Sequence, residues 1–215
     1  MLKILTSFII LLISFSFAHA KEKDIKLHGN KISPLEDGWC FIPNDTVKNC
    51  DLDYNSFHCD PQPPHLSWKD NDKYKTYNGL AWYRLNLDID PTAHNLSLLI
   101  SFQFCGSQFY FNGKKIYETR KFYKNNKVEN LPGKPDIVII PNELLRYNKK
   151  NTLAIRTGSL DGKSGFDDPI KIGPYKLIRK DFLRKVIWYA TLAGINIFLT
   201  FYFLFFYYYR REKYY

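Results

Sequence analysis

The longest charge-free stretch of the chain, Val186 to Tyr209, constrains its architecture more than any other feature. As a helix rising 1.5 Å per residue it would be roughly 36 Å long, enough to cross a bilayer with some tilt. Asn196 and Gly194 interrupt it, while Trp188, Tyr189 and Tyr207 to Tyr209 lie near its ends, where amphipathic rings favour the membrane interface. A buried core helix of this length would need a larger domain around it than the rest of the chain supplies.

A second apolar run lies at the other end. Met1 to Ala20 has a basic start at Lys3, an apolar stretch from Ile4 to Phe17, and Ala18-His19-Ala20, which fits a small-x-small cleavage site. About 14 apolar residues are few for a span, so the expectation is an export signal over 1–20 that is cleaved after Ala20. Export then places the following domain outside and leaves the carboxy terminus of a single-pass helix in the cytoplasm. Arg210, Arg211 and Lys213 agree with the positive-inside tendency. Arg179, Lys180, Arg184 and Lys185 flank the opposite end, where they are also suited to lipid phosphates of the outer leaflet. The expected organisation is 1–20 signal, 21–178 extracytoplasmic domain, 179–185 basic juxtamembrane segment, 186–209 transmembrane helix and 210–215 cytoplasmic tail.

Net charge, +10, raises the question of nucleic acid. Much of the excess sits at the membrane flanks: from Lys21 to Ile178 there are 23 basic and 19 acidic residues and no basic stripe. No nucleic-acid partner is expected.

Between the two apolar ends the sequence reads as strands and turns. Trp82 to Ile89 alternates, with Tyr83, Leu85, Leu87 and Ile89 on one face and Trp82, Arg84, Asn86 and Asp88 on the other. Leu96 to Phe104 repeats the pattern, with Leu96, Leu98, Ile100, Phe102 and Phe104 facing one way. Gln108 to Phe111, Asn112-Gly113 and Lys114 to Tyr117 read as a hairpin, because both turn positions tolerate positive φ. Further strands are expected at Ile137 to Ile140, Leu153 to Thr157, and Ile170 to Leu177 with an interruption at Gly173-Pro174; Asn142 to Tyr147 reads as a helical turn. Many short strands divided by polar turns predict an all-β antiparallel sandwich. The Pro-, Asp- and Asn-rich stretch from Asn44 to Lys75 is expected to be a long surface loop.

All four cysteines, Cys40, Cys50, Cys59 and Cys105, fall in the exported part, where disulfides can form in any of three pairings. A local bridge among the first three is expected, with Cys105 available to staple that stretch to a strand; buried thiols are the alternative. His58 and His65 lie nearby, but the spacing matches no compact zinc pattern. Two sequons, Asn44-Asp45-Thr46 and Asn95-Leu96-Ser97, would matter only in a eukaryotic secretory pathway.

The ordered string Leu35-Glu36-Asp37-Gly38-Trp39-Cys40-Phe41, Trp68, Gly79-Leu80-Ala81-Trp82-Tyr83-Arg84-Leu85, Phe109-Tyr110-Phe111-Asn112-Gly113-Lys114 and Asn151-Thr152-Leu153-Ala154-Ile155-Arg156 resembles the galactose-binding-like jelly rolls. These include the sugar-binding domain of family 2 glycosidases and, more similar, the extracytoplasmic sensor domains of bacterial seven-transmembrane receptors with diverse intracellular signalling modules. The resemblance covers roughly Ile32 to Tyr209 and implies a bacterial inner-membrane location, with entry into the membrane after the strand Pro169-Ile170-Lys171-Ile172-Gly173. Such receptors continue through further helices into an enzymatic output, so a truncated receptor, a gene fragment or an independent anchored binding protein is expected. In the glycosidases the chemistry lies in a separate barrel.

No HExxH, phosphate loop or nucleophile elbow occurs, and no enzyme and no cofactor are expected. Glycoside hydrolysis would need two carboxylates facing one cleft, and Asp161, Asp167 and Asp168 read rather as turn formers. A sugar-like ligand needs an aromatic platform beside polar groups, which makes Trp68, Trp82, Arg84, Arg156 and Asp161 the candidate binding residues. Trp82 and Arg84 share one strand face, so covering the sheet or filling a second packing layer is their structural alternative; Trp39 and Tyr83 are expected in the core. The expected function is ligand sensing by a membrane-anchored module. The alternative is a non-catalytic interaction protein that meets another membrane protein through its sheet surface and helix, with Gly194 and Asn196 available for helix association.

Overall fold

The computed structural model describes residues 25–51, 59–119, 133–159 and 165–211. The expected export signal, Asp161 and the tail beyond residue 211 lie outside the described residues.

One strand organises the fold. β5 (Gly79–Ile89) is the longest, and Ala81, Tyr83, Leu85, Leu87 and Ile89 on its inner face are 0–1 % exposed. β10 (Lys150–Ser159) pairs antiparallel along its whole length, setting Ile155 against Tyr83 and Leu153 against Leu85. β7 (Ser107–Phe111) continues the sheet from β10, and β8 (Lys114–Glu118) closes that edge. On its other side β5 pairs with β3 (Cys40–Ile42), which carries β4 (Asp60–Pro61), while β1 (Ile25–Leu27) pairs parallel to the Leu87–Ile89 end. The second sheet has the order β2 (Ser33–Pro34), β11 (Lys171–Pro174), β6 (Leu96–Ile100) and β9 (Asp136–Ile139).

The two sheets face each other across one core, as alternation requires of a sandwich. Tyr83, Leu85, Phe109, Phe111 and Ile155 meet Leu96, Leu98, Ile100, Val138 and Ile172, with Trp39, Phe41, Trp68 and Tyr74 filling one end. The β7–β8 turn is made by Asn112 at φ 49° and Gly113 at φ 81°, the left-handed pair that matches the twist of a two-residue hairpin.

Three expectations are corrected. Phe102 and Phe104 do not continue the inner face of β6: each is 39 % exposed, while Gln103 between them is fully buried. Regular pairing stops at Ile100 and resumes only as isolated bridges from Gln103 to Gly133 and Phe166, an offset of one residue that turns Gln103 inward and Phe102 and Phe104 outward. The stretch from Asn44 to Lys75 is no simple surface loop, because it contains 3₁₀ turns at Val47–Cys50 and Trp68–Asp70 and buries Asn49, Gln62, Trp68 and Tyr74. The last strand stops at Pro174, and the helix α1 (Tyr175–Arg211) begins at the next residue. Proline lacks the N–H that a ladder needs and its fixed φ favours helix entry.

α1 is therefore continuous through the basic segment 179–185. Its first turns lie against the second sheet, where Ile178 is fully buried and the Tyr175 N–H donates to the Asn95 carbonyl at 2.9 Å. Lys171 on β11 donates to Asp181 on α1 at 2.9 Å, and this bond first of all, then the nearby Arg184, holds the Asp181 carboxyl below its ordinary range. From Val186 onward the helix leaves the sandwich and is exposed on all sides. It is the one helix among the described residues long and apolar enough to cross a membrane. Three of its polar side chains bond within the helix: Thr191, Asn196 and Thr200 donate to the carbonyls of Ile187, Leu192 and Asn196 at 2.8–2.9 Å. In hydrocarbon, where no water is available, that pairing removes the cost of an unmet donor.

Candidate functional site

The outer face of the larger sheet carries a row of three side chains from three strands. Register places Arg156 of β10 opposite Trp82 of β5 on one side and opposite Gln108 of β7 on the other. Because side chains alternate, Tyr110 lies on the same face two residues beyond Gln108, and its ring is 5.2 Å from that of Trp82.

Asp45, from the segment that crosses this face, completes the cluster. Its carboxylate accepts from Arg156 Nε at 2.6 Å and Nη2 at 2.5 Å, and from Trp82 Nε1 at 3.3 Å. Arg156 Nη1 and the Tyr110 hydroxyl both donate to Gln108 Oε1, at 3.2 and 3.1 Å. The fork-on-fork geometry of the guanidinium and carboxylate is the strong form of such a pair. The side chains of Arg156 and Asp45 retain 17 % and 20 % exposure, so solvent reaches the pair from one side. Burial, above all, pushes the Tyr110 hydroxyl above its usual pKa.

Four of the five sequence-derived candidates lie among the described residues; Asp161 does not. Trp82 and Arg156 come together in this cluster, but Trp82 is wholly buried, and with Cys40, Ile42, Cys50 and Ala154 it forms a second packing layer. Arg84 is 2 % exposed and donates from Nη1 to the carbonyls of Asn49 at 2.6 Å and Asp51 at 2.7 Å, clamping the 3₁₀ turn onto the sheet. Trp68 lies on the opposite face of the sheet, in the core, where its Nε1 donates to the Tyr83 hydroxyl at 2.6 Å and its ring meets Phe41 and Tyr77. The expectation of Trp68, Trp82 and Arg84 as a ligand platform is corrected by this burial, which leaves no ring face or guanidinium edge open to a ligand.

Among the cysteines, Cys40 and Cys59 form the disulfide. Cys50 and Cys105 are buried thiols, which corrects the expectation that Cys105 staples the loop to a strand. Burial first, and then the neighbouring Asp51, raise the pKa of Cys50. The bridge ties the start of β4 to β3 and so holds the covering segment in place.

Asp45, Gln108 and Tyr110 escaped the sequence reading. The signal for two of them was present: Gln108 and Tyr110 have the opposite parity to Phe109 and Phe111 in the hairpin strand, which assigns them to the outer face. Asp45 gave no such signal. Chemically, the cluster offers a guanidinium, a carboxylate, an amide oxygen and a phenol within one patch, a set suited to hydroxyl-rich or carboxylate ligands able to exchange with the existing bonds.

No protein-family model matches the chain, and no curated protein matches it. Solved structures do. Bacteroides uniformis beta-glucuronidase 2, covalently bound to cyclophellitol-6-carboxylate aziridine, aligns over 66 % of this chain and 17 % of its own with a TM-score of 0.51 and 17 % identity. A glycosyl hydrolase family 2 member from Bacteroides cellulosilyticus aligns over 66 % of this chain and 20 % of its own, with a TM-score of 0.52 and 14 % identity. Faecalibacterium prausnitzii beta-glucuronidase covers 68 % of this chain and 32 % of its own, at a TM-score of 0.51 and 12 % identity. The chain thus spans a third or less of these enzymes. The shared property is the fold, a galactose-binding-like β sandwich, here followed by one long apolar helix.

Proposed function

We propose that the chain is a non-catalytic ligand-binding module, held outside the cytoplasmic membrane by α1, that senses a carbohydrate-like or other small polar ligand. The observation that carries this reading is the direct passage of β11 into α1. No linker intervenes, and the Lys171–Asp181 and Tyr175–Asn95 bonds clamp the first helical turns to the sheet. Any shift of the sandwich is then felt by the helix, which is what a sensor requires and a merely tethered domain does not. The Asp45–Arg156–Gln108–Tyr110 patch is the proposed ligand contact, since these groups combine charge, directionality and access.

The test is the intact chain in lipid nanodiscs, screened by thermal shift against small sugars and cell-envelope fragments and followed by titration of each hit. A saturable ligand whose affinity falls at least about tenfold in Arg156→Ala is expected, the loss typical of one charged hydrogen-bonding group. Absence of any saturable ligand, or full affinity in that variant, would overturn the assignment.

A second reading, association with another membrane protein, draws on Gly194. A Cβ built there meets nothing within 4 Å, so that side of the helix is open to close approach by another helix. Copurification with a multi-helix protein that is lost in Gly194→Leu and kept in Arg156→Ala would favour it.

A further inference from the structure

We propose that the groove between the Asn30–Ile32 turn and the first turns of α1 binds an anionic phospholipid of the outer leaflet. This rests on α1 crossing the membrane with the sandwich outside, and the experiment below separates the two.

The groove encloses about 1040 Å³ and is built by a close backbone approach. A Cβ at Gly173 would lie 3.0 Å from the Lys31 carbonyl oxygen and 3.1 Å from the Ile32 Cα, tighter than ordinary contact, so glycine favours the close packing of the turn on β11 just before the helix. Lys176, Arg179, Lys180 and Arg184 line the helical wall at spacings of three and four residues, which puts them on one face. The same face continues into Ile187, Trp188 and Thr191.

Charge distinguishes this groove. Asp181 is its one acidic lining residue, and it is already engaged by Lys171 at 2.9 Å and Arg184 at 2.8 Å. Among the described residues Lys31, Lys176, Arg179 and Lys180 have no carboxylate partner, and all four are exposed. On the opposite side of the helix, a cleft of about 280 Å³ presents Lys185, but there Asp168 lies 3.5 Å from the ammonium and Asp167 also lines the wall. Basic charge without a carboxylate partner is therefore concentrated on one helix face.

The vertical order of groups also fits a phospholipid. Arg184 and Trp188 are one helical turn apart, roughly 6 Å, about the thickness of one headgroup layer. A phosphate held by Lys180 and Arg184 would set the glycerol level with Trp188 and the first acyl segment against Ile187 and Thr191. A soluble anion would use only the upper half of this wall.

Trp188 reports on the site, because Trp39, Trp68 and Trp82 are at most 3 % exposed whereas Trp188 is 60 % exposed. The intact chain is reconstituted in phosphatidylcholine vesicles containing either brominated phosphatidylglycerol or brominated phosphatidylcholine, and tryptophan quenching gives relative association. The anionic lipid is expected to be favoured at least about fivefold, the factor contributed by one basic residue near a charged surface. The exposed-site double variant Arg179→Gln, Lys180→Gln should bring that ratio to about one with an unchanged far-ultraviolet circular dichroism spectrum. Inorganic phosphate at matched ionic strength should leave the preference intact. Equal quenching by both lipids, a preference that survives the double variant, or its loss to inorganic phosphate would each overturn the lipid site. Quenching by neither lipid would overturn the membrane placement of α1 itself.

Discussion

Arg156 grips Asp45 with two parallel hydrogen bonds of 2.6 and 2.5 Å across 111 residues of sequence. The pair fastens the covering segment to the centre of the sheet and leaves one side of its guanidinium and carboxylate open to solvent. Because both side chains are more than three-quarters shielded, the interaction is worth more than an open surface pair. Asp45→Ala is expected to lower the unfolding free energy by about 1–2 kcal/mol, and Arg156→Ala by a similar amount. In a double-mutant cycle read by denaturant unfolding, a coupling of about 1 kcal/mol is expected; additive losses would show that the two groups do not act together.

Trp68 and Tyr83 make a second cross-element bond, inside the core. Trp68→Phe removes the donor at 2.6 Å from the Tyr83 hydroxyl and leaves that hydroxyl buried, a cost of about 1–3 kcal/mol beyond the lost ring volume. Adding Tyr83→Phe should recover part of the loss, because the unmet hydroxyl is then gone. A double variant as unstable as the sum of the single ones would argue against the bond. Any ligand affinity at the proposed Arg156 site should survive these changes wherever the protein remains folded, since Trp68 lies on the other side of the sheet.

These two pairs also show how far the sequence could be read. The inner face of β5 was legible because Tyr83, Leu85, Leu87 and Ile89 alternate without a break, and the hairpin because Asn112-Gly113 names its own turn. Parity put Trp82 and Arg84 on the outer face, yet it could not say that the segment around Asp45 buries them; that depends on a contact between residues far apart in the chain. Trp68 sits in a stretch rich in Pro and Asp, where no period exists to place it in the core. Phe102 and Phe104 misled because the pairing shifts by one residue between Ile100 and Gln103, which apolar alternation alone does not reveal. The Arg156 site was half legible, through its arginine and not through Asp45.

The Cys40–Cys59 bridge closes a loop with a sequence separation of 19, for which chain entropy predicts about 3 kcal/mol of stabilisation. Reduction is expected to lower the unfolding temperature and to weaken any ligand bound at Arg156, because Asp45 lies within the closed loop. Cys50 should stay unlabelled by a thiol reagent in the oxidised native protein, since burial and Asp51 hold its thiol protonated. Rapid native-state labelling of Cys50, followed by mass spectrometry, would contradict the packing of the second layer.

Alkaline pH probes the core through Tyr83. Burial raises its pKa far above the ordinary tyrosine value, with the Trp68 hydrogen bond a smaller opposing influence. An unfolded tyrosine ionises near pH 10, so above that value the unfolded chain releases a proton that the folded chain retains. The unfolding free energy must then fall as pH rises, by up to about 1.4 kcal/mol per pH unit for this one group, while below pH 10 the residue has no effect on the slope. Tyr77 and Tyr110, also raised by burial, act in the same direction. Urea unfolding between pH 8 and pH 11.5, followed by near-ultraviolet circular dichroism, should therefore show a decline beginning near pH 10. That decline should be shallower in Tyr83→Phe; profiles of identical slope for the two proteins would mean that Tyr83 is not buried as described.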